Sequence, residues 1–444
     1  MRLRMAFALF GAFAAGLMTH SVLDAQAKPA ADSPYAAMGQ LGRVLALVEN
    51  EYVDPVDRTK LVNGAIAGMV DDLDPHSSYM PAQEYKDFQD DTEGKFAGIG
   101  VEVDIRGDVI TVLAPIEGSP AFKAGIKSGD RILAVDGQTI RELGYDKLVR
   151  RMRGTPGTHV HVTIARAGHA EPLTLDLVRA EVHMSSARGR AMAGGVAYVQ
   201  LKVFQDKSHD EFVNVVAKIR QESKVPITGV LFDLRSNPGG LVDQASAVAD
   251  EFLSSGTIYT MRHRGQISEQ ATAHGGGAFV DVPVVVLVNE QSASAAELVA
   301  GALQDLGRGT IVGATTFGKG VVQSILDLPG GAGLKLTTAR YYTPSGHAVQ
   351  ADGIHPDVTA TPLHKPDGGM PIFHESDYEG AMAGEGSKGR DGGVVVTYDT
   401  PDAGSPADVL TQDMPEDPRT GRDPVMRIGY EVLLRAMKAT GGRQ

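Results

Sequence analysis

The chain has 444 residues, enough for two or three domains, and its hydrophobic content of 42% is that of a globular protein. A formal net charge of −13, without any run of lysine and arginine, argues against a nucleic-acid-binding surface. The absence of cysteine excludes disulfides, thiol catalysis and cysteine–zinc sites.

The first 27 residues have the pattern of a secretory signal. Arg2 and Arg4 precede an apolar run from Met5 to Met18, and the small-residue site Ala25-Gln26-Ala27 follows. The apolar run is short for a full membrane span. We expect export and cleavage, with a retained membrane anchor as the alternative. A signal of this kind indicates the bacterial periplasm.

Residues 28–93 are predicted to form a short linker followed by a helical region. Apolar residues recur at helical spacing between Tyr35 and Asp90. Pro55 and the turn Asp74-Pro75-His76 separate the helices.

Residues 94–180 are predicted to form short strands, with one helix from Tyr145 to Met152. The first strand follows Gly98, and the successive backbone N–H groups of Ile99, Gly100 and Val101 can capture a peptide carboxylate. The strand edge beyond them can pair with an extended peptide. Taken alone, this glycine-rich element is equally compatible with an ordinary turn.

From residue 181 to residue 361, strands alternate with helices, which predicts a layered α/β core. Strands are expected at residues 197–201, 230–234 and 284–288, and helices at residues 210–221, after Leu241 and from Ser294. Residues 362–444 are rich in Gly, Asp and Pro. They are predicted to form a flexible acidic tail with a C-terminal helix over residues 425–439.

Three residues of this core have the chemistry of a serine–lysine hydrolase. The hydroxyl of Ser294 becomes a nucleophile only when a base takes its proton. Lys319 can be that base if burial lowers its pKa. Gln323 is expected on the same strand face as Lys319, because their separation is even, and it can orient the neutral amine without adding a charge. The alternatives are an N-cap role for Ser294 and a surface turn for Lys319, which lies between two glycines.

A loop of the core has the features of an oxyanion hole. The run Asn237-Pro238-Gly239-Gly240 ends in two glycines, which let the backbone approach a reacting carbonyl closely. Their N–H groups, with that of Ala295, can stabilise a tetrahedral oxyanion; the alternative is a tight turn. The sequence has no G-x-S-x-G and no H-E-x-x-H motif, and its histidines are scattered, so we expect no metal and no cofactor.

Together these motifs resemble those of the carboxyl-terminal processing peptidases, the tail-specific serine–lysine proteases of family S41. The resemblance extends from about Tyr35 to Val358. It identifies residues 94–180 as a PDZ domain and residues 181–361 as a crotonase/Clp-protease-like layered α/β protease core. It implies Ser294 as nucleophile, Lys319 as general base and Gln323 as the orienting amide. It also implies oxyanion donors in the Gly239–Gly240 loop and at Ala295.

The resemblance further implies that the substrates are envelope proteins with apolar C-termini, which the PDZ domain binds and delivers. PDZ movement is the implied switch, and Arg153 is a candidate contact between the PDZ domain and the active site; the alternative is a solvated arginine at a helix end. A homo-oligomer, an adaptor protein and N-terminal association with the inner membrane are expected partners or states.

Two rival functions use the same motifs. The first is a catalytically silent PDZ adaptor in the envelope, which the intact set of Ser294, Lys319 and Gln323 disfavours. The second is an acyl-CoA enzyme of the crotonase type, which the PDZ insertion and the signal pattern disfavour.

Overall fold

The computed structural model describes residues 34–106, 109–139, 142, 144–363, 373–386, 393–399 and 415–441. The chain divides into two compact units, Met1–Met69 and Val70–Gln444. The predicted signal, residues 1–27, lies outside the described residues. Among those that are described, no helix combines the length and apolar character needed to cross a membrane.

The helices of the described residues are α1 (Pro34–Glu51), α2 (Arg58–Asp71), α3 (Ala82–Thr92), α4 (Pro120–Lys123), α5 (Tyr145–Met152), α6 (Ser208–Glu222), α7 (Val242–Asp250), α8 (Ala295–Asp305) and α9 (Pro424–Gly441). The first ten strands are β1 (Ser78–Met80), β2 (Lys95–Gly98), β3 (Val101–Arg106), β4 (Val109–Pro115), β5 (Arg131–Val135), β6 (Gln138–Thr139), β7 (His159–Ala165), β8 (Leu173–Val178), β9 (Ala180–His183) and β10 (Ala187–Met192). The remaining strands are β11 (Val196–Leu201), β12 (Gly229–Asp233), β13 (Thr257–His263), β14 (Gln266–Thr272), β15 (Val284–Val288), β16 (Gly309–Gly313), β17 (Val321–Asp327), β18 (Gly333–Tyr342), β19 (Val358–Pro362) and β20 (Val394–Tyr398).

In the N-terminal unit, α1 has several exposed apolar side chains. Tyr35, Met38, Val44 and Leu47 are each at least half exposed. At about 100° of rotation per residue, these four positions spread over roughly two thirds of the helix circumference and do not form a single stripe. The described part of its own unit therefore leaves this apolar surface of α1 unburied.

Residues 94–180 form a self-contained β structure inserted into the chain. Strands β3, β4, β5, β7 and β8 form an antiparallel sheet in that order, with β6 on β5. Helix α5 has the predicted bounds, so that prediction is confirmed. Its Leu148 and Met152 pack with Ile99, Ile110 and Val162 in a separate hydrophobic core. Strands β2 and β9 pair antiparallel where the chain enters and leaves this insertion.

The core is a seven-stranded sheet in the order β10-β11-β12-β15-β16-β19-β20. All neighbours are parallel except β10 and β11. Because side chains alternate along a strand, Val230 and Phe232 pack with α6, α7 and α8, whereas Leu231 and Val285 pack with α9. Helices thus cover both faces, as the parallel strands require, and the prediction of a layered α/β core is confirmed.

The described parts of residues 362–444 differ from the predicted flexible tail. Strand β20 continues the core sheet beside β19. Helix α9, which contains the predicted helix, buries Met426, Tyr430 and Leu433 on the sheet. Glu375 is fully buried as well. Strand β20 and the piece around Glu375 are short and are surrounded by many Gly, Asp and Pro residues. The composition of the region therefore does not reveal them.

A second sheet joins β1, β18, β13 and β14 in that order, and β17 pairs with β18. Strand β17 begins at Val321, so Lys319 lies in the loop before it. Strand alternation therefore does not relate Lys319 to Gln323, contrary to the expectation from their even spacing. A register shift between Val322 and Gln323 adds a further irregularity.

Candidate active site

Ser294 occupies a strained turn between β15 and α8. Its φ of 54° and ψ of −116° are rare for a residue with a side chain. An ordinary N-cap residue has an extended backbone, so capping alone does not account for this conformation. A strand, a sharp turn and a helix are also the setting in which nucleophilic serines are exposed in other hydrolases.

The backbones of Ser294 and Lys319 are held by the same two side chains. Oε2 of Glu297 accepts hydrogen bonds from the N–H of Ser294 at 2.7 Å and from that of Lys319 at 2.9 Å. The hydroxyl of Tyr341 lies 2.9 Å from the carbonyl oxygen of Ser294 and 3.0 Å from that of Lys319. The fold thus brings these two predicted residues together across 25 positions of sequence (319 − 294).

Glu297 is a fully buried carboxylate. Its Oε1 accepts from the Thr316 hydroxyl at 2.5 Å and from the Gly318 N–H at 2.7 Å. Burial raises the pKa of Glu297 to about 7, although its four hydrogen-bond donors act in the opposite direction. The side chain therefore joins the helix that begins after Ser294 to the loop that contains Lys319.

The electrostatic surroundings of Lys319 favour the neutral amine. Burial lowers the pKa of Lys319, and the charge of Lys335 acts in the same direction. The carboxylates of Glu375, Asp74 and Glu297 oppose this shift. A lysine whose pKa is lowered is a candidate general base.

Gln323 lies on a chain of polar side chains. Its Nε2 donates to Oγ1 of Thr337 at 3.3 Å, and the Thr337 hydroxyl donates to Oδ1 of Asp74 at 3.1 Å. Ser77 donates its hydroxyl to the other oxygen of Asp74 at 2.7 Å. The turn that begins at Asp74 thereby fixes the amide of Gln323 through Thr337.

The glycine loop packs directly against Ser294. Gly239 has a φ of 100°, and a Cβ there would lie 2.8 Å from the Cβ of Ser294. Gly240 has a φ of 132°, and its Cβ would lie 2.0 Å from the carbonyl oxygen of Phe204. Both positions therefore require glycine.

The three predicted oxyanion donors differ in their hydrogen bonding. The N–H of Gly239 donates to Oδ1 of Asn237 at 2.8 Å, so it is engaged within the loop. Ala295 is the first residue of α8, where an N–H has no intrahelical acceptor. The geometry therefore favours Gly240 and Ala295 over Gly239 as donors. The absence of a side chain at Gly239 and Gly240 also avoids clashes with Ser294 and Phe204.

A buried ionic group lies at the start of the same loop. Arg235 donates to Asp233 at 2.7 Å and pairs with Asp423 at 2.8 Å. Asp423 immediately precedes α9, and its Oδ1 accepts the N–H of Met426 at 3.0 Å. The C-terminal helix is thus tied to the segment that leads to Gly239 and Gly240.

The predicted carboxylate-binding segment joins β2 to β3. Ile99 is buried, and Gly100 has a φ of 74° with the Ser119 Cβ only 2.4 Å from where its own Cβ would be. An isolated antiparallel bridge pairs Gly98 with Arg153. This bridge joins the end of α5 to the segment that contains Ile99, Gly100 and Val101.

Arg153 itself is half exposed and points to groups outside α5. Its Nη1 donates to Oδ1 of Asp91 in α3 at 3.2 Å. Its guanidinium lies 5.0 Å from the ring centre of Phe96 in β2. The contact expected from the sequence is therefore made to α3 and β2, and no contact with Ser294 or Lys319 is recorded for it in the described part of the chain.

Sequence reasoning missed several residues of the site. Glu297 could have been found, because Ser294 and Glu297 have the S-x-x-E spacing of a capping box. Asp74 lies in the turn Asp74-Pro75-His76 that the sequence reveals, but nothing in that turn assigns it to the site. Glu375 and Asp423 carry no local signal, since they reach the site from distant parts of the chain. Within the described residues, no group of three or more His, Asp or Glu side chains could hold a metal ion.

Three family patterns match the chain. Residues 195–360 match peptidase family S41, residues 111–166 match a PDZ domain, and residues 11–84 match the N-terminal domain of the activating protease CtpB.

Curated proteins show the same likeness. A carboxy-terminal-processing protease of Bartonella bacilliformis is 40% identical over 376 residues, which cover 83% of this chain and 86% of that protein. A probable CtpA-like serine protease of Staphylococcus aureus is 34% identical over 327 residues, which cover 73% of this chain and 65% of that protein.

Solved structures are also similar. The photosystem II D1 C-terminal processing protease is 29% identical with a TM-score of 0.45, and the match covers 72% of this chain and 87% of that one. An S41 protease of Bacteroides fragilis, described as putative, is 16% identical with a TM-score of 0.47, covering 71% and 89%.

Proposed function

This chain belongs to the carboxy-terminal-processing proteases of peptidase family S41, which are serine-type peptidases, and we propose that Ser294 and Lys319 are its nucleophile and general base. The observation that carries the proposal is the shared attachment of both backbones to Glu297 and Tyr341. A catalytic pair needs this kind of fixed geometry.

The reaction then follows from the residues in place. The neutral amine of Lys319 takes the hydroxyl proton of Ser294 as Oγ attacks the peptide carbonyl. The N–H groups of Gly240 and Ala295 stabilise the oxyanion. The Lys319 ammonium returns the proton to the leaving amine, and an acyl-enzyme remains. Water, deprotonated by Lys319, hydrolyses the acyl-enzyme and releases Ser294.

Gln323 has the orienting role in this proposal. Because its Nε2 donates to Thr337, its amide oxygen is left to accept a hydrogen bond from the amine of Lys319. A neutral acceptor fixes the amine without the charge that would raise its pKa.

The PDZ domain reads the substrate tail in this proposal. The N–H groups of Ile99, Gly100 and Val101 bind the terminal carboxylate, and an apolar C-terminus extends along β3. The positive φ of Gly100 supports this, since it turns the backbone tightly just before the strand. Substrates are then proteins with accessible apolar C-termini.

Location and assembly form a further part of the proposal. The N-terminal basic and apolar pattern supports export to the periplasm, where the substrates are envelope proteins; a retained segment would anchor the enzyme to the inner membrane. The exposed apolar side chains of α1 support a homo-oligomer. An adaptor protein that delivers substrates is compatible with tail recognition.

The test uses one unfolded substrate in two forms, with an apolar C-terminus and with a charged, amidated C-terminus. The wild type should cleave the first form faster, whereas Ser294→Ala and Lys319→Ala should cleave neither. Ser255→Ala and Lys218→Ala change exposed residues of the core and serve as matched controls.

Three results would contradict parts of this proposal. Full activity in Ser294→Ala would show that Ser294 is not the nucleophile. Equal cleavage of both substrate forms would show that the PDZ domain does not recognise the C-terminal tail. Binding of the apolar tail by a wild type that never cleaves would favour the silent adaptor instead.

A further inference from the structure

The loop that contains Lys319 is held from two sides. On the inner side, Glu297 accepts the N–H groups of Gly318 and Lys319. On the other side lies a described piece of the C-terminal region, residues 373–386, which includes a short 3-10 helix, Glu375–Asp377. Sequence composition gave no reason to expect this piece at the active site.

Glu375 holds the chain on both sides of Lys319. Its N–H donates to the carbonyl oxygen of Phe317 at 3.0 Å. Its Oε1 accepts from Nε2 of Gln350 at 2.9 Å, and Oε1 of the same glutamine accepts the N–H of Gly320 at 2.8 Å. The loop from Phe317 to Gly320 is thus attached to Glu375 directly and through Gln350.

The carboxylate of Glu375 is fully buried and has a specific partner. Nε2 of His76 lies 2.9 Å from each of its oxygens. Burial by itself would raise the pKa of Glu375, but hydrogen bonds from His76 and Gln350 and the charges of His76 and Lys319 hold that pKa below its ordinary value. Glu375 therefore supplies a buried negative charge beside Lys319.

Four charged groups act on the amine of Lys319. Lys335, on β18, disfavours the ammonium, whereas Glu375, Asp74 and Glu297 favour it. Among these three carboxylates, Glu297 is committed to four donors of the nucleophile and base segments. Asp74 is committed to the turn at Ser77 and to Thr337. The hydrogen bonds described for Glu375 involve neither Ser294 nor Gln323. Its charge can therefore be tested without disturbing those two residues.

We propose that Glu375 is a positioning residue for Lys319: it braces the Lys319 loop and stabilises the ammonium that forms when Lys319 accepts the serine proton. The inference rests on the proposed role of Lys319 as base. Glu375 lies beyond the residues 195–360 that match the S41 pattern, so the C-terminal region completes the site in this chain. A carboxylate that orients and stabilises a protonated base has a precedent in serine hydrolases that use histidine.

The isosteric change Glu375→Gln tests the charge. Without the negative charge the ammonium is less stable, so the pKa of Lys319 falls and the acid limb of the kcat/KM profile moves to lower pH. We expect a displacement of about half a pH unit or more, which is about a threefold change in the ratio of neutral to charged amine. We also expect kcat to fall by up to about threefold on the plateau, because the base is weaker.

The measurement is a pH–rate profile of the full-length enzyme on the apolar-tailed substrate. KM should stay within about twofold, because Glu375 does not contact the substrate in this proposal. Glu379→Gln is the matched control: it removes an exposed carboxylate from the same short segment and should reproduce the wild-type profile. Glu375→Asp keeps the charge and should keep the wild-type acid limb with a reduced kcat.

The outcomes separate the two levels of the proposal. If Ser294→Ala or Lys319→Ala keeps wild-type turnover, the proposed function itself is wrong. If both are inactive while Glu375→Gln keeps the wild-type acid limb, only the role of Glu375 is overturned. Should Glu375→Gln fail to fold, Gln350→Leu tests the same brace: kcat must fall at unchanged KM, and an unchanged kcat overturns the proposal.

Discussion

Glu297 is the residue on which the geometry of Ser294 and Lys319 depends. Each of its carboxylate oxygens accepts two hydrogen bonds, and three of the four donors are backbone N–H groups. A glutamine at this position must direct its NH₂ group toward two of these donors, whichever way the amide is oriented.

We therefore expect Glu297→Gln to be severely damaging despite its small change in shape. At least one backbone N–H loses its acceptor, even if the Thr316 hydroxyl turns to accept from the new NH₂ group, at a cost of about 1–3 kcal/mol. The kcat should fall about a hundredfold or more through the displaced loop. Turnover and urea unfolding of the variant would measure the two effects. Glu222→Gln, on the exposed side of α6, is the control; wild-type turnover in Glu297→Gln would contradict the role given to this carboxylate.

The same residue predicts a dependence of stability on pH. Its folded pKa of about 7 exceeds the ordinary value of 4.5. The proton is therefore held more tightly in the folded state, and the resulting stability is fully present below pH 4.5 and lost as pH rises through 7. The size is about 3 kcal/mol. Urea unfolding of the wild type and Glu297→Gln across this range should give a sloping difference curve; a flat one would show that the four donors keep Glu297 ionised throughout.

At the residue scale, the sequence suggested candidate catalytic residues more readily than it suggested the residues that support them. Ser294 and Lys319 lie in short motifs whose residue types fit one reaction, and the fold holds their backbones together. Asp74, Glu375 and Asp423 could not be assigned, because each acts through tertiary contacts with a segment far away in the chain. Gln323 was chosen by spacing, but its position depends on Thr337 and Asp74 instead of on strand alternation.

Among the elements, α9 connects the C-terminal region to the loop that contains Gly239 and Gly240, the proposed oxyanion loop. Its apolar side covers one face of the core sheet, and Asp423, just before it, pairs with the buried Arg235. Arg235 is followed directly by the run from Ser236 to Gly240. The position of the helix and the conformation of the glycine loop are therefore linked by one ion pair.

Asp423→Ala should weaken both the helix and the loop. The change removes a cap for the N–H of Met426 and one of two carboxylates beside Arg235, so we expect a loss of about 2 kcal/mol in the free energy of unfolding. The kcat should fall by about tenfold with little change in KM, because the oxyanion donors are disturbed. Urea unfolding and steady-state kinetics would measure this, with Glu431→Ala on the exposed side of α9 as control. A loss of stability without any change in kcat would show that the position of α9 does not affect the glycine loop, which would contradict this prediction.

Strong local patterns made several elements of the PDZ domain and the protease core predictable. The strand at Val284–Val288 and the helix at Tyr145–Met152 have the expected bounds, because each is a continuous apolar or amphipathic run between turn residues. The C-terminal pieces were misjudged for the opposite reason. Strand β20 has five residues and is ordered by pairing with β19, which no local pattern reveals.

On the scale of the Val70–Gln444 unit, ion pairs between distant segments of the described chain join the PDZ domain to the rest of the enzyme. Glu102 on β3 pairs with Lys202 at 2.6 Å, and Arg153 pairs with Asp91 at 3.2 Å. Lys202 lies two residues before Phe204, whose N–H donates to the carbonyl of Gly239. Strand β3 and the loop that contains Gly239 are therefore only a few residues apart along these contacts.

Arg153→Ala should change tail dependence more than stability. An exposed ion pair contributes only about 0–1 kcal/mol, so thermal unfolding should be nearly unchanged. The preference for the apolar-tailed over the amidated substrate should change about threefold or more, because the anchor of the carboxylate-binding segment to α3 is lost. Arg150→Ala, on the same helix and exposed, is the control. An unchanged preference in Arg153→Ala would mean that the arginine is only a solvated helix end.

The burial of Glu375 and Asp423 against the site also has a consequence for the time at which the enzyme becomes active. A chain that is synthesised from its N-terminus presents Ser294 and Lys319 well before either acid has emerged. The nascent polypeptide then carries the proposed nucleophile and base while their supporting segments are still missing. Under the proposed roles of these residues, activity would begin only after the segments that contain Glu375 and Asp423 have been synthesised, so the order of the segments along the chain would itself delay proteolysis.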